Sequence, residues 1–155
     1  MIQIRTKGGD RIKNLLARNL RNKGVELLRV GIVNKDRYPD GKFIAQIAVW
    51  NEFGTVHIPP RPAMRQSASK ISKEVGKELK PFLKGKDFKV PLQAADAVGQ
   101  YMVRVIKQTI EDFDSPPNAS STVRRKGFNN PLIETRRYKR AINYKIGDAF
   151  DNLEG

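Results

Sequence analysis

The residues whose side chains could do chemistry are few in this sequence and far apart. The chain has no cysteine and one histidine, His57, which excludes disulfides, thiolate redox chemistry and zinc sites built from cysteine and histidine. A hydrolase needs a nucleophile, a base and an orienting group, and the one imidazole lies beside a proline-rich loop. Glu111, Asp112 and Asp114 could together hold Mg²⁺, but carboxylates at a helix end are more often solvated. We therefore expect no enzyme, no catalytic or metal-binding residues, no cofactor and no small-molecule substrate.

Signatures of nucleotide binding and of membrane insertion are also missing from the sequence. The patterns GxGxxG, GxxxxGK[ST] and HExxH do not occur. No run of about 18 apolar residues is present, and the opening residues MIQIRTKGGD lack the apolar region of a signal peptide. The sequence predicts a soluble protein that is made in a cytoplasm and does not associate with membranes.

The chain is strongly basic, and its positive charge is unevenly distributed. Thirty Lys and Arg residues outweigh 16 Asp and Glu residues, which leaves a net charge of +14. The excess lies in residues 1–23, 61–89 and 120–145, whereas the last ten residues are acidic. Such a pattern predicts basic patches that could meet a polyanion or an acidic protein, and it is equally typical of a well-solvated surface.

Two clusters mix cationic and aromatic side chains. The first cluster contains Arg124, Arg125 and Lys126, next to Phe128, and the second contains Arg136, Arg137, Tyr138 and Arg140. Such a mixture can neutralise phosphates and stack on bases, and it is also enriched at protein interfaces. A basic nucleic-acid-binding protein therefore remains an alternative function, although no helix-turn-helix, zinc-finger or RRM pattern accompanies the clusters.

The first half of the chain predicts a helix, a strand and a proline-rich loop. Apolar residues at helical spacing after Asp10 predict a helix over 10–22, and β-branched residues predict a strand over 25–33, followed by a hairpin-like loop. Residues 43–54 fit either a strand or a short helix. Three prolines within residues 59–62 predict an extended loop there.

The second half predicts two long helices, an irregular segment and a final strand. Helical spacing predicts helices from Pro62 to about residue 83 and from about 91 to 113. Residues 114–131 are rich in turn formers and charges, which predicts a long flexible arm that orders on assembly. Residues 132–135 and 141–146 alternate as a last strand would.

Two stretches of the sequence resemble a known family. The first motif (residues 48–65) contains Asn51, Glu52, Phe53, Gly54 and Thr55, followed by Ile58, Pro59, Pro60, Arg61 and Pro62. It is similar to the "A-x-x-N-E-F-G-T … I-P-P-R-P-F-x-R" signature of tailed-bacteriophage neck, tail-completion and minor tail proteins. The second motif (residues 122–135) resembles that family's "T-x-x-x-K-G … P-L-I-D-T-G" segment. The sequence departs from the family pattern at Ala63, where Phe is usual, and at Arg136, where Gly is usual, which puts the tight turn after Thr135 in doubt.

The resemblance implies a structural role in a phage particle. It implies a head–tail connector (neck), tail-completion or tail-terminator subunit that forms a homo-oligomeric ring with other neck or tail proteins, in the virion after assembly in the host cytoplasm. The subunit could also contact genomic DNA non-specifically. Independently of the family, residues 51–55 could simply form a helix or strand end that stops at Gly54, with Phe53 in the core.

Together these observations predict a single α+β domain over residues 1–155, in which a small β-sheet (hairpin plus C-terminal strand) packs against an N-terminal helix and two longer helices, with a long extended arm.

Overall fold

Helices and two short pairs of antiparallel strands form the described part of the chain, which confirms the predicted α+β class. The structure is a computed structural model, and it describes residues 24–25, 27–79 and 90–147. The helix predicted over residues 10–22 lies outside this part. The strands are β1 (Gly24–Val25), β2 (Leu27–Ile32), β3 (Val90–Pro91) and β4 (Ile142–Gly147). The helices are α1 (Ile44–Phe53), α2 (Ala63–Leu79), α3 (Leu92–Glu111), α4 (Ser120–Lys126) and α5 (Arg137–Ala141).

The longer strand pair joins β2 to β4. Leu27 lies opposite Gly147 and Ile32 opposite Ile142, so the two strands pair along their full length. This confirms both predicted strands at these positions. The loop after β2 is hairpin-like, as predicted, because Arg37 and Phe43 form an antiparallel bridge, but the chain then continues into helix α1 and no hairpin joins this strand pair.

The core lies between the two long helices and the β2–β4 pair. Helices α2 and α3 pack against each other, and both strands of the pair contact α3. Ile106 and Ile110 of α3 are buried together with Ile71 of α2 and Ile142 of β4. Both long helices are thus present as predicted, each with apolar side chains in the core, and α1 and α5 close the core at one end.

A close approach of β4 to α3 depends on Gly99. A Cβ atom at this position would lie 2.5 Å from Cδ2 of the Tyr144 ring, so any side chain there would displace the ring. The Tyr144 hydroxyl reaches past the glycine and donates a hydrogen bond to Asp96, one helical turn earlier. This bond raises the pKa of Tyr144, because it stabilises the protonated phenol. The ring therefore fixes the strand across the helix.

The segment 114–131 is not extended throughout, which corrects the arm predicted from its composition. It contains helix α4, which ends at Gly127 in a left-handed conformation (φ 77°), with the Gly127 N–H bonded to the Val123 carbonyl. The backbone N–H of Asn118 donates to the side chain of Asn129, which brings the two ends of the segment together. The following residues 132–135 form a turn, and the strand predicted there is wrong.

Candidate functional site

The first motif forms a sharp corner between helices α1 and α2. Helix α1 ends at Gly54, whose backbone angles (φ 77°, ψ 176°) are accessible essentially to glycine alone. A Cβ atom at this position would lie 2.8 Å from the Ile58 carbonyl oxygen and 2.9 Å from the Pro60 nitrogen. The loop closes on itself through hydrogen bonds in both directions between the backbones of Thr55 and Ile58. The motif therefore needs glycine for its conformation and for the space.

Glu52 joins the two helices of the corner. Its carboxylate accepts hydrogen bonds from the backbone N–H groups of Met64 (2.9 Å) and Arg65 (3.0 Å) in the first turn of α2. Arg65 also donates from Nε to the same carboxylate (3.0 Å) and from its guanidinium to the Glu52 carbonyl (2.9 Å). Glu52 is only 6% exposed. An acidic side chain at a helix N-terminus satisfies free N–H groups and interacts favourably with the helix dipole, so Glu52 holds α2 at a fixed angle to α1.

Arg61 connects the first motif to the segment before α4. Its guanidinium donates to the backbone carbonyls of Pro116 (3.3 Å) and Pro117 (3.1 Å), more than fifty residues further along the chain. Its own N–H donates to the Asn51 carbonyl. The side chain is buried, and this burial lowers the pKa of Arg61. Arg61 is thus an internal connector, and its charge is withdrawn from the surface.

Asn130 plays the corresponding part in the second motif. Its side-chain oxygen accepts from the backbone N–H groups of Leu132 (3.1 Å) and Ile133 (2.9 Å), and its side-chain nitrogen donates to the Glu111 carbonyl (2.7 Å) at the end of α3. The Asn130 backbone carbonyl in turn accepts from Lys126 (2.6 Å). One residue therefore ties α3, α4 and the following turn together. Asn130 was not among the candidate residues predicted from the sequence, although the Asn-Pro pair at this position is a turn signal.

The turn after Thr135 is present even though arginine stands where the family pattern has glycine. Arg136 adopts a left-handed conformation (φ 62°, ψ 4°), the one such non-glycine residue of the described chain. This conformation costs an L-residue on the order of 1 kcal/mol. The other departure, Ala63, is fully buried at the start of α2 beside the core, so a phenylalanine would not fit there without rearrangement.

The two motifs meet across a groove of about 380 Å³. Trp50, Asn51 and Ile58 line it from the first motif. The facing wall comes from the second motif and α5 and consists of Thr122, Lys126, Pro131, Leu132, Ile133, Glu134, Thr135, Arg136, Arg137 and Tyr138. Segments that lie some seventy residues apart in the sequence therefore share one concave surface.

Outside the groove, the first motif presents apolar side chains to solvent. Val49 and Phe53 are 53% and 67% exposed and lie one turn apart on the same face of α1. Val56, in the loop that follows, is 96% exposed. The Arg65 guanidinium lies 5.2 Å from the centroid of the Phe53 ring. The helix end at Gly54 is thus as the sequence indicated, but the alternative expectation of a core position for Phe53 is wrong.

The basic residues of the two clusters lie mostly on the surface. Those that are exposed are Arg124, Arg125, Arg136, Arg137 and Arg140. Arg125 forms an ion pair with Glu134 (3.1 Å), and Lys126 lies 4.8 Å from the Phe128 ring. Tyr138 is only 4% exposed and belongs to the core, where burial raises its pKa above the usual value for tyrosine. Tyr138 is therefore not part of an exposed basic patch and is not available to stack on bases.

Two of the three acidic residues considered for Mg²⁺ binding make other contacts. Glu111 pairs with Lys139, and Asp112 accepts from the Gln108 side chain (2.8 Å). In the part of the chain that the structure describes, no group of three or more His, Asp or Glu side chains is arranged to hold a metal ion. His57 is exposed in the loop of the first motif, where its backbone N–H donates to the Thr55 hydroxyl.

Comparison with known proteins identifies no relative of this chain. None of the helices in the described ranges has both the length and the apolar character needed to cross a membrane. Searches against family models, curated proteins and solved structures give no match to this chain. The likeness to phage neck and tail proteins therefore depends on the two motifs, which meet at the groove.

Proposed function

We propose that this protein is a structural virion subunit of a tailed phage, either a head–tail connector of the neck or a tail-completion or tail-terminator subunit that assembles into a ring. The observation that carries the proposal is the construction of the first motif. Glu52 and Arg61 brace it from inside, while Val49, Phe53 and Val56 face solvent. Exposed apolar side chains on a rigid frame are suited to protein–protein contact, because little ordering entropy is lost on binding.

The second motif supports the same proposal. It carries exposed arginines next to a groove that also contains residues of the first motif. Arginine and tryptophan are the residue types most enriched where protein interfaces gain their affinity. Some of the described residues that resemble the family hold the two motifs together from inside, and others are exposed on the surface. An assembly subunit needs both kinds of residue.

Incorporation into phage particles tests this function. Tagged full-length chain, supplied during infection by a phage that lacks its own copy, should sediment with heads or tails. Phe53→Asp should leave the protein at the top of the gradient, because it places a charge in the proposed contact. Leu92→Asp is the matched control, since Leu92 is similarly exposed but lies at the start of α3. Equal incorporation of Phe53→Asp and wild type, or absence of the wild type from particles, would contradict the proposal.

Nucleic-acid binding is the second candidate, and the exposed arginines of the two clusters favour it. Binding of duplex DNA through these side chains should weaken with salt, with a log–log slope of about −0.9 per phosphate contacted. Replacing Arg124 and Arg125 with Glu should then make the log–log slope less negative by about two. Tight binding by the isolated chain, together with normal particle assembly by this variant, would favour DNA as the main partner.

A further inference from the structure

The groove between the two motifs has more cationic than anionic groups available to a ligand. Its two acidic side chains already have partners, because Asp40 pairs with Lys42 (2.5 Å) and Glu134 pairs with Arg125 (3.1 Å). The remaining charged side chains of its wall are Lys126, Arg136 and Arg137, for which no carboxylate partner is found within the described residues. The groove therefore favours an anionic ligand.

A buried donor in the same wall also has no acceptor. The side-chain nitrogen of Asn118, which lines the groove, is the one buried polar side-chain atom of the described residues without a hydrogen-bond partner. Lys126 is partly withdrawn from water, and this burial lowers its pKa against the opposing effect of the nearby Glu134 carboxylate. A ligand with carboxylate oxygens would neutralise Lys126.

Apolar side chains also line the groove, and they select among anionic ligands. Ile47, Trp50, Ile58 and Leu132 line it next to the cationic side chains. A phosphate backbone would leave these apolar surfaces exposed to water. A peptide that combines acidic and large apolar side chains would cover both kinds of surface.

The chain itself contains such a peptide. Residues 148–155, Asp-Ala-Phe-Asp-Asn-Leu-Glu-Gly, carry three acidic side chains, no basic one, and the apolar residues Phe150 and Leu153. They follow the end of β4 at Gly147, whereas the groove lies beside the opposite end of β4, next to α5. The strand separates the two points by about 17 Å, so a segment that doubled back within one chain would need about five extended residues, Phe150 among them, to reach the groove. A segment from a second copy has no such constraint.

We propose that the acidic segment 148–155 of a second copy of this chain binds in the groove between the two motifs. The inference rests on the proposed ring, in which each copy would supply a segment to its neighbour and receive one. Lys126, Arg136 and Arg137 pair with the acidic side chains, and the apolar wall around Trp50 receives Phe150 or Leu153.

Intrinsic fluorescence tests this interaction directly, because Trp50 is the only tryptophan of the chain and lines the groove. The receptor is the full-length protein with Asp148→Asn, Asp151→Asn and Glu154→Gln, so that its own segment does not compete. A synthetic peptide of residues 148–155 should shift the Trp50 emission in a saturable manner. The same peptide with its acidic residues neutralised should not.

A matched pair of variants locates the binding site. Arg137→Glu should weaken peptide binding about tenfold, whereas Arg140→Glu, on the same short helix but outside the groove wall, should change it by less than about twofold. No binding of the acidic peptide, or equal binding by the two variants, would overturn the proposal. So would a short DNA duplex that shifts the Trp50 emission where the peptide does not.

The outcome can be separated from the test of the proposed function. If rings form but the peptide does not bind, the groove proposal fails while the proposed function stands. If the wild-type chain stays monomeric, both the proposed ring and the proposed binding of a segment from a second copy are refuted.

Discussion

Replacing Glu52 with glutamine should destabilise the fold well beyond what a surface substitution does. The amide has nearly the shape of the carboxylate, but one of its two oxygens becomes an N–H donor. The carboxylate accepts from the N–H groups of Met64 and Arg65 and from Arg65 Nε, at 2.9–3.0 Å. Glutamine leaves at least one of these donors without an acceptor.

The expected loss follows from these contacts. A hydrogen bond to a charged group contributes about 1.5–3 kcal/mol, and a negative charge at a helix N-terminus adds about 0.3–1 kcal/mol. The ion pair with Arg65 adds little, since the Arg65 side chain is mostly exposed. Glu52→Gln should therefore cost about 2–4 kcal/mol in unfolding free energy, which for a chain of this size lowers the melting temperature by about 5–15 °C.

Thermal unfolding followed by far-UV circular dichroism at neutral pH measures this loss. Glu134→Gln is the matched control, because Glu134 has one ion pair with Arg125 and both side chains are more than half exposed. That variant should lose no more than about 1 kcal/mol. Equal shifts for the two variants would refute the claim that Glu52 holds α1 and α2 together.

Three further predictions follow from single contacts. Gly54→Ala should lower the unfolding free energy measured by chemical denaturation by about 2–4 kcal/mol, because its φ is positive and a Cβ would meet the Ile58 carbonyl. The control Gly76→Ala, inside α2 with nothing nearby, should raise it by about 0.5–1 kcal/mol. A loss of similar size at both positions would contradict this. Asn130→Ala should remove three hydrogen bonds, cost about 1–3 kcal/mol and speed tryptic cleavage within α4, and an unchanged cleavage rate would show that Asn130 does not hold the segment. Burial raises the pKa of Tyr138, so its neutral form stabilises the folded state. This contribution to the unfolding free energy is complete below about pH 10 and falls above that pH by about 1.4 kcal/mol per pH unit. Tyr138→Phe should flatten this decline in unfolding measured at alkaline pH, and an identical decline would contradict it.

The long elements of the fold could be predicted because their signals are local. Helices α2 and α3 each carry an apolar stripe that repeats along a single segment, and this stripe faces the core. The pattern of residues 43–54 does not distinguish a strand from a helix, because apolar side chains occur on both sides of the segment. The structure resolves this as helix α1, in which Ile44, Ala48 and Glu52 face inward while Val49 and Phe53 face solvent.

The contacts that shape the site could not be predicted, because they join distant residues. Glu52 caps a helix that begins eleven residues later, which lies beyond the spacing of any local capping rule. Arg61 was a motif position without a role until its carbonyl partners at 116 and 117 were known. Helix α4 has no apolar stripe, and the hydrogen bonds of Asn118 and Lys126 hold it in place. The two motifs predicted a family role, and the fold brings them together at one groove.

Native mass spectrometry of the full-length chain over a range of concentrations tests the central claim most directly. We predict a closed oligomer with one fixed number of copies. Phe53→Asp should reduce it to monomer without changing the circular dichroism, because Phe53 lies on the exposed face of α1. A wild-type chain that is folded and monomeric at every concentration, with a mass unaffected by Phe53→Asp, would contradict the account.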